Sequence, residues 1–228
     1  MPGNKVIPLD AAVSRIESGM TLAMGGFLGQ GAPLTLIRAL RDGDASDLTI
    51  YANDAGFGDA GIVELVLAGK VKTLYCCHVG YTPAVTGAVE NGMLELVWTP
   101  QGNLIEMLRC GGAGLGGFLT PTGVGTPVAE GKEHVTIDGR TYFWERAVRV
   151  DVGLVRAHAG DTLGNLCHRG TARNYNPIVA SCAAYVIAEV EHICCPGELD
   201  PEKIQTCGIF VDAVVHAADG KCAEQRTA

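Results

Sequence analysis

The sequence predicts an α/β protein with an open, mainly parallel sheet flanked by helices and an antiparallel hairpin excursion in its second half. Short apolar segments of strand length alternate with segments that repeat apolar residues at helical spacing. Glycine and proline (31 and 10 residues) separate these segments and do not gather into a linker. Because no internal repeat is visible either, we predict that residues 1–228 form a single domain.

The first half of the chain carries the alternation. Residues 9–18 place Leu9, Ala12, Val13 and Ile16 at helical spacing, and Gly19 follows where a helix C-cap would fall. Proline at the first turn marks a second helix. The predicted strands are 20–24, 48–52, 71–77 and 94–99, and the predicted helices that follow them are 33–41, 61–67, 83–90 and 103–110.

The second half breaks this rhythm. Residues 111–125 include seven glycines, a stretch too long for a simple turn, and this density suggests a backbone that passes close to a ligand or a partner subunit. Asp138-Gly139 is the strongest hairpin signal in the chain. It joins strand candidates 134–137 and 140–144, and further strand-like segments follow at 152–157, 185–190 and 208–215.

Charge and hydropathy exclude several classes of protein. The formal net charge of −8 argues against a nucleic-acid-binding or membrane-surface protein, both of which need basic surface. No apolar run approaches the roughly 18 residues that span a bilayer, and the first ten residues lack the apolar core of a signal peptide. We therefore expect a cytoplasmic protein with no membrane or nucleic-acid partner.

The nine cysteines show no C-x-x-C spacing. Two pairs are adjacent in sequence and lie near a histidine, so either a metal site or reduced thiols would fit. Adjacent residues on a strand point to opposite faces and would chelate one ion poorly, so we predict free thiols and no metal. The pairs are Cys76-Cys77 with His78, and Cys194-Cys195 with His192.

A glycine-rich loop follows the first predicted strand, at the edge where open α/β sheets place ligands. It spans residues 25–31, and its spacing is not G-x-G-x-x-G. Glycines allow a backbone to approach a ligand closely, but they also serve packing turns, and both interpretations stay open. The candidate binding residues in it are Gly25, Gly26, Phe27, Gly29 and Gly31.

Two further loops follow predicted strands and carry amide side chains. Asn53 and Asp54 follow the second strand, where they would fit an ordinary Asx turn. Gln101 follows the fourth strand; its uncharged amide donates two hydrogen bonds and suits an oxyanion or carbonyl site, although it would also fit a surface turn.

No nucleophile is evident. The chain lacks a G-x-S-x-G elbow, a Walker loop and a pair of histidines at helical metal spacing. None of its glutamates stands in the apolar, glycine-rich setting of an activated nucleophile. The sequence therefore predicts a site that another component completes.

Residues 111–126, GGAGLGGFLTPTGVGT, with TPQGNLIEMLRC immediately before them, resemble the signature of class I coenzyme A-transferases in their α subunit. The likeness continues in order along nearly the whole chain. It includes YANDAG (51–56), GNLCHRGTARNYNP (164–177) and PGELDPEKIQTCGIFVD (196–212).

This resemblance implies the CoA-transferase fold and a ping-pong reaction through a glutamyl-CoA thioester. The family carries the nucleophilic glutamate on the β subunit, so no catalytic residue is expected here. Gln101 and Asn53 match positions that face the reacting carboxyl group, and residues 25–31 match a loop near the site.

The resemblance also implies partners and substrates. A β subunit in an α2β2 assembly, CoA as substrate with no cofactor, and short-chain acids of the acetate, butyrate and acetoacetate type are expected. Asp54 replaces an Asn common in the succinate-using branch, and residues 28–32 differ from the commoner loop, which leaves the acyl group open. The alternative is a sugar-phosphate-binding sensor or isomerase, which would need a helix-turn-helix or its own acid/base carboxylate.

Overall fold

A computed structural model describes residues 3–218. Residues 1–2 and 219–228, which include Cys222, lie outside the described residues. The prediction that residues 1–228 form a single domain therefore stays a prediction. The described helices are α1 (Leu9–Val13), α2 (Leu34–Asp42), α3 (Ile62–Leu67), α4 (Pro83–Glu90), α5 (Gln101–Gly112) and α6 (Asn176–Cys182). The strands are β1 (Thr21–Met24), β2 (Leu48–Tyr51), β3 (Val71–Cys76), β4 (Glu95–Trp98), β5 (Gly117–Thr120), β6 (His134–Ile137), β7 (Arg140–Arg146), β8 (Val150–Asp161), β9 (Leu166–Cys167), β10 (Ala183–Cys194) and β11 (Ala213–His216).

The large sheet has the order β11-β10-β8-β1-β2-β3-β4, and every neighbouring pair in this order is parallel. The short β9 pairs antiparallel with β8. A separate antiparallel sheet has the order β5-β7-β6. This architecture confirms the predicted fold class. Among residues 3–218, no helix combines the length and the apolar character that a bilayer crossing requires.

The large sheet is covered on both faces, because alternate residues of its central strands point in opposite directions. Leu22 and Leu154 belong to a cluster that includes the buried side chains of α2, α3 and α4. Ala23 and Val155 belong to the second cluster, with buried residues of α5 and α6. Fully burying one large aliphatic side chain stabilises the fold by about 1.5–3 kcal/mol. The two buried clusters therefore stabilise the sheet from both faces.

The structure extends or shortens several predicted elements. Helix α1 ends at Val13 and not at residue 18, because the amides of Arg15 and Ile16 bond carbonyls three residues back and no longer four, which tightens the chain into a turn. The predicted strand 208–215 is correct only from Ala213. Residues 208–210 form a 3-10 turn, and the Lys5 ammonium donates to the Gly208 carbonyl at 2.8 Å.

The glycine-rich stretch 111–125 is three pieces and not one loop: the end of α5, strand β5 and the turn after it. Gly111 lies against the Val148 carbonyl, and Gly117 (φ +151°) lies against the Glu145 carbonyl. The close surface that these two glycines meet is therefore the same chain, whereas Gly114, Gly116 and Gly125 meet open space, where the expectation of a ligand or partner stays a prediction. The hairpin is confirmed, since Asp138 and Gly139 both have positive φ (50° and 76°), as a type I′ turn requires.

Replacing Gly111 with alanine is expected to destabilise the fold by about 1–3 kcal/mol, because the new Cβ would overlap the Val148 carbonyl in a packed interior. Gly87, inside α4, is the matched control: its Cβ would meet open space. We expect Gly87→Ala to be neutral or to stabilise by up to about 1 kcal/mol. Urea unfolding measures both, and equal effects of the two substitutions would contradict the packing role.

Candidate active site

The loops after β1, β2 and β3 and the start of α5 meet at the carboxyl edge of the sheet, where parallel α/β sheets bind ligands. They enclose a cleft of about 340 Å³. The structure thus brings the loop 25–31, Asn53 and Gln101 together. The residues lining the cleft are Phe27, Leu28, Asn53, Cys77, His78, Tyr81 and Gln101.

Asn53 forms the floor of the cleft and is only 4% exposed. Its Nδ2 donates to Asp54 Oδ2 at 2.6 Å, and its Oδ1 accepts from Gln101 Nε2 at 2.8 Å. An ionised carboxylate accepts hydrogen bonds and cannot donate them, so Asp54 fixes which end of the Asn53 amide faces Gln101. The Asp54 carboxylate therefore orients the Asn53 amide and, through it, the Gln101 amide.

Gln101 is the first residue of α5 and is exposed at the cleft. Its Nε2 carries two hydrogens, of which Asn53 accepts one. The side chain of Gln101 also lies near Tyr175, which precedes α6. Burial, with Cys77 and Asp54 nearby, raises the pKa of Tyr175, so its hydroxyl stays protonated at neutral pH. Gln101 is thus a neutral donor group that is held by Asn53.

The loop 25–31 is a tight turn held from two sides. Phe27 and Gln30 exchange two backbone hydrogen bonds, at 3.0 and 2.9 Å. Leu28 adopts a left-handed conformation (φ 47°), uncommon for a residue with a side chain, and its amide donates to Asp54 Oδ2 at 2.9 Å. On the other side, Asn174 accepts from the Gly26 amide at 3.1 Å and donates to the Gln30 carbonyl at 2.8 Å.

The glycines of this loop are not among the described lining of the 340 Å³ cleft, and two of them pack tightly against another segment. A Cβ at Gly25 would overlap the Asn176 side chain. Gly31 (φ 72°) lies directly against the Ala172 carbonyl. Both neighbours come from the segment 164–177, so close packing places Phe27 and Leu28 at the cleft. The packing interpretation is therefore confirmed at Gly25 and Gly31, and ligand binding by this loop stays a prediction.

Sequence reasoning considered Cys77 and His78 only for a metal site and did not consider Tyr81, so it did not place these three residues at the cleft. They follow β3, and the same sheet-edge rule would have found them. The Cys77 thiol donates to the Asn53 carbonyl at 3.0 Å. Burial and the nearby Asp54 carboxylate raise the pKa of the Cys77 thiol, which keeps it neutral. The rings of His78 and Tyr81 lie 5.0 Å apart and form one wall.

Residues 29–31 of the same loop border a second, more polar cleft of about 510 Å³, which also includes Arg156, His158 and Glu191. Burial lowers the pKa of His168, at its edge, to about 4. Its Nδ1 lies 3.0 Å from the Arg156 carbonyl and must carry the proton, because a carbonyl only accepts.

The first cleft contains no carboxylate among its described lining residues. The buried glutamates of residues 3–218 lie elsewhere and are paired: Glu145 with Lys132 at 2.6 Å, and Glu189 with Arg156 at 2.9 Å. The cleft therefore offers amides, a thiol, an imidazole and a phenol. Such groups can polarise a carbonyl group, but this set does not supply a carboxylate nucleophile.

The sequence profile described as "Coenzyme A transferase" matches residues 6–217. The chain belongs to the coenzyme A transferase family. The resemblance noted from its glycine-rich signature is thereby confirmed.

Curated relatives cover almost the whole chain. The chain is 44% identical over 217 residues to the alpha subunit of acetate CoA-transferase from Escherichia coli K12, covering 95% of this chain and 99% of that one. It is 46% identical over 217 residues to one subunit of the probable succinyl-CoA:3-ketoacid coenzyme A transferase of Bacillus subtilis 168, covering 95% and 91%. These two values are too close to choose between the substrates in those names.

A solved structure shares the fold. The acyl-CoA transferase of E. coli O157:H7, described as a thioester complex with CoA, superposes with a TM-score of 0.82 at 24% identity. The match covers 92% of this chain and 46% of that one. None of these three proteins is named as a sugar-phosphate sensor or isomerase.

Replacing Asp54 with asparagine is expected to lower the free energy of unfolding by about 1–3 kcal/mol, because an amide nitrogen would face buried donors that the carboxylate now accepts. Those donors are the amides of Leu28 and Gly56 and the Asn53 Nδ2. Asp59, exposed on the neighbouring turn, is the matched control, and Asp59→Asn should be neutral. Urea unfolding of Asp54→Asn within about 0.5 kcal/mol of the unsubstituted protein would contradict this role of the carboxylate.

Proposed function

We propose that this chain is the α subunit of a two-subunit CoA-transferase. The enzyme moves CoA between a short-chain acyl-CoA or 3-oxoacyl-CoA and a free carboxylic acid such as acetate. The observation that carries the proposal is the composition of the 340 Å³ cleft: oriented amide donors are present, and a carboxylate nucleophile is absent from its described lining. Membership of the family supplies the reaction class.

In the proposed reaction, the acyl-CoA carbonyl is attacked by a glutamate of the β subunit. The tetrahedral intermediate expels CoA thiolate and leaves a mixed anhydride. The thiolate attacks the glutamyl carbonyl, which releases the first acid and forms a glutamyl-CoA thioester. A second carboxylate then takes over CoA by the same steps in reverse, and the glutamate is regenerated.

The role of this chain is to stabilise negative charge on the reacting oxygen. Gln101 gives one Nε2 hydrogen to Asn53, and in the proposal its second hydrogen donates to the oxyanion of each tetrahedral intermediate. Asn53, which is itself oriented by Asp54, holds Gln101 in place before substrate arrives, so little reorganisation is needed. Hydrogen-bond donors that are already in position stabilise the charge of the transition state more than mobile donors do.

The cleft favours a small acyl group without a second charge. Phe27, Leu28 and Tyr81 give it apolar walls, and its described lining includes no lysine or arginine. The distal carboxylate of a dicarboxylic acid would find no cationic partner there. This supports short monocarboxylic acids and their 3-oxo derivatives over succinate.

The proposal includes an α2β2 assembly in which the β subunit provides the glutamate, and CoA is a substrate with no further cofactor. Both curated relatives are named as single subunits of their enzymes, which supports a partner chain. The net charge of −8 opposes the phosphates of CoA, so the partner is expected to supply much of the basic surface that holds them.

Gln101→Ala, assembled with the β subunit, is expected to lower kcat by about 10²–10³-fold, because one oxyanion donor is lost. KM for the acyl-CoA should change far less, since the interaction strengthens only in the transition state. Steady-state kinetics with acetate as acceptor provide the measurement.

The control for Gln101 is Glu106→Gln on the same helix. The Glu106 side chain is not part of the described cleft lining and forms an ion pair of 2.8 Å with Arg109. It should keep kcat unchanged. A loss below about threefold in Gln101→Ala, in a protein that folds and assembles normally, would remove Gln101 from the proposed role.

The chain alone is expected to be inactive and to form no covalent CoA adduct. Mixed with an acyl-CoA and its β subunit, it should give a complex with a thioester that borohydride reduces or hydroxylamine cleaves. Mass spectrometry should find the modified glutamate on the β chain. A CoA-dependent modification on a glutamate of this chain would contradict the assignment of the nucleophile to the β subunit. The Gln101 kinetics test the role of this chain in the transfer reaction separately.

A further inference from the structure

A row of polar side chains lies where β8 and β10 run side by side, away from the Asn53–Gln101 cleft. Arg156 Nη1 contacts Glu189 Oε1 at 2.9 Å, and Arg156 Nη2 contacts Glu191 Oε1 at 3.0 Å. His158 Nδ1 lies 2.9 Å from Glu191 Oε2. The ring of His192 stands perpendicular to the ring of His158, with 5.0 Å between their centroids.

The three outer members of this row have the chemistry of a metal centre. Although Glu191 and His192 are neighbours on β10, where consecutive side chains usually point to opposite faces, one ligand atom from each of His158, Glu191 and His192 lies within 4.8 Å of the other two. Ligands bonded to one ion at about 2.0–2.2 Å stand roughly 3–3.5 Å apart, so small side-chain rotations close the site. Two imidazoles with one carboxylate suit zinc, cobalt, nickel and non-haem iron.

The charge balance of the row favours a cation. Glu189 is fully buried and accepts from the amides of Thr35 and Leu36 at 2.8 and 3.1 Å, as well as from Arg156. One guanidinium thus faces two carboxylates, and the row with neutral imidazoles carries a net charge of −1. Arg156 bonds Oε1 of Glu191 and leaves Oε2 toward the imidazoles, which is how hydrogen-bonded outer groups orient a metal-binding carboxylate.

The two histidines are partly exposed and make few hydrogen bonds within the described residues. The side chains of His158 and Glu191 are 29% and 30% exposed. Within residues 3–218, the His192 ring makes the ring contact with His158 and no hydrogen bond. Metal binding therefore replaces one hydrogen bond, between His158 and Glu191, and the imidazole proton moves to the other ring nitrogen.

We propose that His158, Glu191 and His192 form a binding site for a divalent transition-metal ion of the zinc and cobalt class. Three protein ligands leave at least one coordination position for water or an oxygen-donor ligand. His158 and Glu191 line the 510 Å³ cleft, so this position adjoins the space behind residues 29–31. The site is separate from the proposed oxyanion donor and needs no part of the transfer chemistry.

Titration of the full 228-residue chain with Co²⁺, under a non-chelating phosphine reductant, tests this site. Cobalt reports its own ligands, because thiolate ligands give a charge-transfer band that nitrogen and oxygen ligands do not. We expect one equivalent of Co²⁺ to bind with visible d–d absorption and no thiolate band. Binding should not require acyl-CoA.

Variants identify the ligands. His192→Ala and His158→Gln should each weaken Co²⁺ binding by at least about tenfold, since even outer-shell losses cost that much. His192 makes no hydrogen bond within the described residues, so its removal should leave the fold intact, which circular dichroism checks. His216→Ala, exposed on the adjacent strand β11, is the matched control and should bind like the unsubstituted protein.

Three results would overturn the site. The first is no Co²⁺ binding with a dissociation constant below about 1 mM, which corresponds to about −4 kcal/mol. The second is a thiolate band that persists in His192→Ala, which would assign the ion to cysteines. The third is equal affinity of His192→Ala and His216→Ala, which would mean adventitious surface binding.

Discussion

The candidate site depends on one buried carboxylate. Asp54 is 6% exposed and accepts hydrogen bonds from the Leu28 amide, the Gly56 amide and the Asn53 side chain. These donors come from two loops that follow different strands. Because a carboxylate only accepts, it fixes the left-handed turn of the first loop and the orientation of the Asn53 amide together. The direction of the Gln101 side chain follows from that orientation.

A second buried carboxylate organises the opposite half of the sheet. Glu189, on β10, accepts from the first turn of α2, where backbone amides lack helical partners, and from Arg156 on β8. Burial raises the pKa of Glu189, while Arg156 and these amides oppose the rise. The two carboxylates resemble each other in function: each ties separate elements of the sheet edge to one acceptor. Neither is placed to attack a substrate in the 340 Å³ cleft, which agrees with a site that a partner completes.

Periodicity in the sequence was sufficient for the alternating half of the fold, and Asp138-Gly139 for the hairpin. The sheet-edge rule also placed Asn53, Gln101 and the loop 25–31 in one region. What could not be predicted depends on tertiary contacts. Strand β9 is only two residues long, and β5 begins at Gly117 inside the glycine-rich stretch, so neither carries a recognisable strand pattern. The assignment of Asn53 as a simple turn residue or a site residue depended on its hydrogen bond with Gln101, which is 48 positions away in the sequence.

The hydrogen bond from Leu28 to Asp54 also has a consequence for local opening. Backbone amides in surface turns normally exchange with solvent deuterium quickly, because such turns open without disturbing the core. The Leu28 amide becomes available for exchange only when its hydrogen bond to the Asp54 carboxylate breaks. The loop and the floor of the cleft therefore form one cooperative unit, and slow exchange at a glycine-rich turn would be a sign of the rigidity on which a pre-oriented site depends.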